Sequence, residues 1–520
     1  MTKKKIMRIQ SSYSVLTRLF VTTLLLGLVL QANAFPGIGN VACPPFTQVE
    51  KAAEYRIEVT NRVLKQLSPH FFGFNLEWVG FQEDLWDRRT KKVNPDVVSA
   101  LQAFPGATYR YPGGTVSNYF DWRASVGPQN ARPARRAVGW KGPTTTQFGF
   151  DEYLDFLATV GGRAWLVVNL YGDFEGEKNI SALAASAGEW AASARQANAK
   201  VLRWELGNEL DRDRFNWSPE KYSKRAMEIA RAIKAGDPMA RVVSLLEDYD
   251  AQKSISAKRY NTLISRSLIS LKSDQALHLY YDGPPAGPPI PNRLKHLCAS
   301  ADAVKDGSGR AAAIWVTEHA RWPGGKVTDP DWKRNWAKTS TLIGAISVAD
   351  MTIALNQMPG VEGAFLHGIG SIDGPWTLFH RTAAGLKPST VYWALRVLRE
   401  SVLDQVLETR TTSRNASDYA GGYDVRSSLL SNAARTKFAL WAVNRSGDMV
   451  KARLVMPMLA GKTVVTRHAS LSDGNPNANN SLDGGRVIPK EISIRLKFDG
   501  RGETWVQLPA YSVSAFSMNN

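Results

Sequence analysis

Two cysteines in 520 residues, Cys43 and Cys298, are too few for a disulfide-built scaffold or a cysteine metal centre. They allow a single bridge, a candidate disulfide that an oxidising compartment would permit. The seven histidines are scattered, so no metal-ligand cluster is visible and no metal is expected. A glycine-rich phosphate loop is missing after the first strand pattern, and with it the usual nucleotide-binding reading of an α/β chain. No cofactor is expected. Zinc-finger spacing, RNP-like motifs and basic–aromatic repeats are missing too, which argues against a nucleic-acid partner. No apolar run reaches the ~20 residues of a membrane helix. The run at 19–30 spans only 12 residues. Lys3, Lys4, Lys5 and Arg8 precede it and Ala32-Asn33-Ala34 follows, the pattern of a signal peptide over 1–34. The expectation is a secreted or periplasmic protein with no transmembrane segment after cleavage.

Basic residues are abundant. Lys and Arg number 65 against 47 Asp and Glu; five of the basic residues and none of the acids lie in 1–34, leaving about +13 on the remainder. Such a balance favours acidic polymers or a negative cell surface, and equally serves simple solubility. Sixteen Trp and sixteen Tyr provide flat faces that pack on sugar rings, or in cores. Trp140, Trp322 and Trp376 are not placed around a ligand by their spacing.

From residue 65 onward, short apolar strands alternate with helical stretches. Eight strand patterns stand at 71–78, 107–111, 164–170, 201–206, 241–246, 276–281, 312–317 and 363–366. Helical patterns between them include 152–160, 218–235 and 336–357, the second opened by Ser218 as N-cap with Pro219 behind it. Eight such units predict a (β/α)8 barrel over 65–400. After a last helix at 391–402 the pattern changes to short alternating strands at 437–444, 450–456, 492–498, 504–508 and 513–518, separated by turn formers. These predict an antiparallel β-sandwich over 401–520. The alternating segment 52–62 is expected to return and join it.

In such barrels, chemistry sits at the C-terminal ends of the strands. The fourth strand ends in Gly207-Asn208-Glu209 and the seventh in Glu318-His319. The first carries Asn75 and Glu77, the second Arg110, the sixth His278, Tyr280 and Tyr281. A single glutamate after a strand is usually a solvated surface group. Two, on opposite walls of one mouth, meet the requirement of glycoside hydrolysis: one protonates the leaving oxygen, the other attacks the anomeric carbon or activates water. Asn208 is a candidate for a sugar hydroxyl, or a loop cap.

Trp204-Glu205-Leu206-Gly207-Asn208-Glu209 resembles the acid/base strand of clan A glycoside hydrolases. Within the clan the resemblance points to glycoside hydrolase family 51, the α-L-arabinofuranosidases. Arg110-Tyr111-Pro112-Gly113-Gly114, Tyr119, Asp121-Trp122 and Gly127-Pro128 are similar to that family's strand-two region. Asn75 and Glu77 match its sugar-holding first strand, and Ala510-Tyr511-Ser512-Val513-Ser514 its final strand. The resemblance implies a retaining mechanism, with Glu209 as acid/base and Glu318 as nucleophile. The chain departs from the family at Leu210-Asp211 and at Thr317-Glu318-His319-Ala320-Arg321-Trp322. Family 79, the β-glucuronidases and heparanase, shares the Trp-Glu-Leu-Gly-Asn-Glu string and is the alternative, as is a catalytically inactive carbohydrate-binding homologue.

The partner expected is a polysaccharide or oligosaccharide. Candidate substrate contacts are Glu77, Asn75, Asn208, His278, Tyr280, Tyr281, Arg110 and Trp322. Arg110 either pairs with Glu318 or stiffens the barrel floor; His278 and the two tyrosines either serve the glutamates or pack. The carboxyl of Glu209 is expected to be raised by burial and by the charge of Glu318, so that it can act as an acid. Oligomeric state is not legible.

Overall fold

A computed structural model describes residues 49–520 apart from 140, 213, 249–253, 370–371, 373, 415–421 and 482–485. The expected signal peptide, Cys43 and Trp140 lie outside the described residues. Cys298, the other half of the candidate bridge, is buried in the helix Ile290–Ser308.

Strand β1 is Arg56–Gln66. Then come β2 (Phe72–Asn75), β3 (Thr108–Tyr111), β4 (Arg163–Val168), β5 (Val201–Leu206), β6 (Val242–Leu245), β7 (Asp274–Tyr281), β8 (Ile314–Arg321) and β9 (Val361–His367). Strands β2 to β9 pair in parallel and close into a barrel, β9 returning to β2. The expected strand at 71–78 is shorter, because Trp78–Asp84 forms a helix with Glu77 at its N-cap.

Aromatic packing explains the closure. Trp165, Trp315 and Phe365 meet inside, with ring centroids 5.0 to 5.9 Å apart. Opposite them stand glycines. A Cβ on Gly73 would lie 2.1 Å from the Phe365 ring, and one on Gly363 2.5 Å from Trp315. Large residues thus face small ones across a filled interior.

The helix Leu342–Asn356 is buried along nearly its whole length. A helix apolar on all sides must be covered on all sides. This one lies between the barrel and a second sheet. That sheet contains β10 (Gln405–Ser413), β11 (Val425–Ser431), β12 (Lys437–Asn444), β13 (Val450–Val455), β14 (Thr463–Ser472), β15 (Lys490–Lys497), β16 (Glu503–Leu508) and β17 (Ser512–Asn519). Its order is β15-β14-β17-β12-β11-β10-β1-β13-β16. The ladder is mostly antiparallel, β1 and β13 being parallel. It wraps around a core of its own that includes Ile57, Leu440, Leu454 and Phe516. The N-terminal strand runs 56–66, rather than 52–62, and pairs with β10 and β13. Asp350 of the buried helix receives Arg426 at 2.5 Å and Arg445 at 2.6 Å, and Arg445 also reaches Asp282 behind β7 at 2.9 Å. No helix among the described residues is long and apolar enough to cross a membrane.

Candidate active site

Side chains two apart on a strand share a face, and this places the site one rung above the aromatic layer. On β2 the sequence Gly73, Asn75 points inward, on β5 Arg203, Glu205, and on β9 Gly363, Phe365, His367. Strand β8 needs one adjustment. Its pairing with β7 runs Val316 to Leu277 and then Glu318 to His278, so one residue is extra. The same extra residue appears against β9. This bulge lets Thr317 reach Glu205 at 3.3 Å while Glu318 also faces the mouth. A regular strand would send Glu318 to the outside; bulges re-aim side chains in this way. Glu318 and His319 therefore sit within the strand, which continues to Arg321, and do not follow it.

Arg110 lies beneath Glu318 with no solvent exposure. Its Nε and Nη2 donate to Glu205 at 2.8 and 3.0 Å, and Nη1 to Asn75 and Glu318 at 2.8 and 2.7 Å. Nη2 also donates to Asn208 Oδ1 at 2.7 Å. All five N–H donors of the guanidinium are engaged within the protein. Arg110 is thus placed as a strut under the site and not against a substrate. Glu205 additionally accepts from Trp165 Nε1 at 2.6 Å.

Glu318 Oε2 accepts from the Tyr280 hydroxyl at 2.7 Å and lies 3.1 Å from His367 Nδ1. Burial by itself raises its carboxyl, but His278, His367 and Arg110 outweigh burial and hold it well below the usual range. His278 Nδ1 lies 2.8 Å from Glu209 Oε1 and 3.5 Å from Glu318 Oε2. One ligand atom each of Glu209, His278 and Glu318 fall within 4.8 Å of one another. The two carboxylates therefore flank one histidine across a short gap.

Glu209 is half-buried and adopts φ +47°, an uncommon left-handed conformation for a side chain that branches no earlier than Cδ. Gly207, at φ +86°, starts the turn. Asn118 clamps the turn through both backbone groups of Asn208, at 2.6 and 3.1 Å. Burial would raise the Glu209 carboxyl, yet Arg212 and the His278 hydrogen bond outweigh it and lower the carboxyl. This reverses the expectation of a raised value. His278 itself is raised: the two glutamates overcome the effect of its burial.

Asn75, Glu77, Asn208, Glu209, Tyr280, Glu318 and Trp322 all line one cleft of about 800 Å³. Tyr281 does not. It points to the outside of β7, where its hydroxyl meets His319 Nδ1 at 2.9 Å. Strand alternation requires Tyr280 and Tyr281 to face opposite ways, so only one could serve. Gly113 and Gly114 let the backbone pass close to the acids. A Cβ on Gly114 would stand 2.6 Å from Glu77 Oε1 and 3.3 Å from Glu318 Oε1.

His367, Trp336, Arg212 and Asp248 also line the cleft and were missed from sequence. His367 carried a usable signal, since it continues the inward alternation of Gly363 and Phe365. Trp376 packs on Tyr280 at 5.1 Å and His367 at 4.8 Å, and Trp322 on Tyr280 at 5.5 Å. Their loops hold no periodic signal that would bring them together.

The profile of the α-L-arabinofuranosidase 1 domain family matches residues 100–186. An intracellular exo-α-(1→5)-L-arabinofuranosidase of Streptomyces lividans is 23% identical over 480 residues, covering 84% of this chain and 71% of that protein. A probable α-L-arabinofuranosidase C of Aspergillus flavus is 29% identical over 206 residues, 36% of this chain and 40% of that protein. The solved family 51 α-L-arabinofuranosidase of Bifidobacterium longum superposes with a TM-score of 0.74 at 16% identity, over 90% of this chain and all of that one. Fold, paired carboxylates and relatives together mark a glycoside hydrolase that is similar to those of clan A. Within that clan the chain is most like family 51.

Proposed function

We propose that the protein is a retaining α-L-arabinofuranosidase, exported from the cell, that removes arabinofuranosyl groups from polysaccharides. The observation that carries this reading is the short gap between Glu209 and Glu318, bridged by His278. Retention needs carboxyls about 5 to 5.5 Å apart, whereas inversion needs about 6.5 to 9.5 Å to admit a water. Glu318 is the nucleophile: it is kept ionised and is oriented by Arg110, Tyr280 and His367. Glu209 is the acid/base. Its proton is shared with His278, and exclusion of water by a bound sugar favours the neutral pair over the ion pair. The carboxylic acid then faces the leaving oxygen, and the same group later deprotonates water.

Asn208 commits its Oδ1 to Arg110, so its Nδ2 is the group it offers a sugar hydroxyl. Glu77 and Asn75 line the same cleft. The family profile and the relatives favour arabinofuranose over a pyranose. A panel of aryl α-L-arabinofuranosides, β-xylosides, β-galactosides and β-glucuronides tests this. Cleavage of the arabinofuranoside, with the product's first-formed anomer retained by proton NMR, is expected. Cleavage of the glucuronide alone would replace this reading with a family 79-like one.

A further inference from the structure

A second cavity of about 690 Å³ opens beside the catalytic cleft, lined among others by Tyr119, Arg135, Arg136, Phe174 and Lys178. One short segment separates the two: Arg135 and Arg136 line the second cavity, Val138 and Gly139 the catalytic cleft. Tyr119 and Phe174 stack here with centroids 4.4 Å apart. Two guanidiniums cover the pair, Arg136 5.0 Å from the Phe174 centroid and Arg214 5.4 Å from that of Tyr119. Arg214 belongs to the loop of Glu209, five residues on. The acid/base protonates the leaving oxygen, so this platform lies on the leaving-group side of the scissile bond.

Most charges nearby are already matched. Arg123 pairs with Glu189 at 2.5 Å, Arg135 with Asp121 at 3.7 Å, and Lys178 with Asp173 and Glu175 at 3.0 and 3.1 Å. Among the described residues, Arg136 and Arg214 meet no carboxylate. Both are exposed. Stacking on an aromatic face restrains a guanidinium while leaving N–H donors available, on Arg214 those not given to the Tyr119 side chain, and such donors match a carboxylate. A neutral sugar has no group of that charge.

Resting on the arabinofuranosidase reading, we propose that this platform binds the carboxylates of a uronate-bearing glycan, the chain from which the arabinofuranosyl group is released. The catalytic cleft takes the neutral sugar. Arg136 and Arg214 hold the acidic backbone behind the leaving oxygen. The excess of basic residues over the whole chain adds a longer-range attraction for the same polymer.

The test uses the full chain, wild type and R136Q/R214Q, with hexagalacturonate and xylohexaose as probes in isothermal titration. The wild type is expected to bind hexagalacturonate more tightly than xylohexaose. The double variant should lose at least about tenfold in affinity for hexagalacturonate alone, because two charge-assisted contacts are removed. Hydrolysis of an aryl α-L-arabinofuranoside should be unchanged in the variant, since neither arginine lines the catalytic cleft. Equal wild-type affinity for both probes, or unaltered hexagalacturonate binding by the variant, overturns the proposal. So does a loss of aryl-glycoside turnover in the variant, which would place the arginines in the reaction itself. Absence of aryl arabinofuranoside cleavage by the wild type, with hexagalacturonate binding intact, would instead count against the sugar assigned to the cleft.

Discussion

Arg110 Nη1 donates to Glu318 Oε1 at 2.7 Å, and the same guanidinium grips Glu205 through two further bonds. One cation thus supports two buried carboxylates, and the upper one is the proposed nucleophile. Arg110→Lys would supply at most three donors in place of five, leaving buried acceptors unpaired. Breaking a buried ionic pair costs roughly 3–5 kcal/mol. Urea denaturation should show a loss of that order together with a sharp fall in kcat. A variant of wild-type stability would mean that the network relaxes around the lysine.

Glu318→Ala should lower kcat by about four orders of magnitude or more, as removal of a nucleophile does elsewhere, while the circular dichroism spectrum is kept. Glu209→Ala should lose less on an aryl substrate with a good leaving group, and azide should restore part of the rate. Residual turnover near the wild-type level in the first variant would show that another group attacks.

Tyr280→Phe removes one hydroxyl from the cleft wall and from Glu318. A fall of about 10- to 100-fold in kcat is expected, matching the loss of one charge-assisted hydrogen bond of about 1.5–3 kcal/mol. KM should change less. If kcat held and only KM rose, the tyrosine would belong to sugar binding.

The pH dependence follows from opposite shifts. Glu318 is lowered well below its ordinary value, so its ionised form stabilises the fold above the unfolded carboxylate range. That contribution is lost as pH falls through the lower folded value. The acid limb of kcat/KM should accordingly lie below the ordinary carboxylate range. His278 is raised, so the proton shared with Glu209 leaves above the usual histidine range and sets the alkaline limb. In His278→Gln that limb should move to lower pH, because Glu209 alone then holds the proton. An unmoved limb would show that His278 does not share it.

Gly114→Ala tests the glycine pair. The added methyl would press on Glu77 Oε1, and the carboxyl must swing away from the cleft. KM should rise several-fold with little change in melting temperature. A large stability loss instead would mean that the backbone, and not Glu77, gives way.

Much of this was legible in the residues themselves. Apolar strands in alternation with helices call for a parallel sheet with both faces covered, and the count of eight, with no glycine-rich phosphate loop after the first, points to a closed barrel. Gly207-Asn208-Glu209 marks the candidate mouth, since that turn stands at a strand end, and Glu318 is reached from the same rule although it lies inside its strand. Spacing also places Asn75, Glu77, His278 and Tyr280 near them. Tertiary structure decided the rest. The bulge at Thr317 turns Glu318 inward, and no local pattern announces an extra residue. Tyr281 was misread because a two-residue period cannot be phased until the register is known. The direction of the Glu209 shift depends on Arg212 and His278, which only folding brings beside it. The loops that carry Trp322, Trp376, Phe174 and Arg214 converge for the same reason: their positions are set by the barrel beneath them.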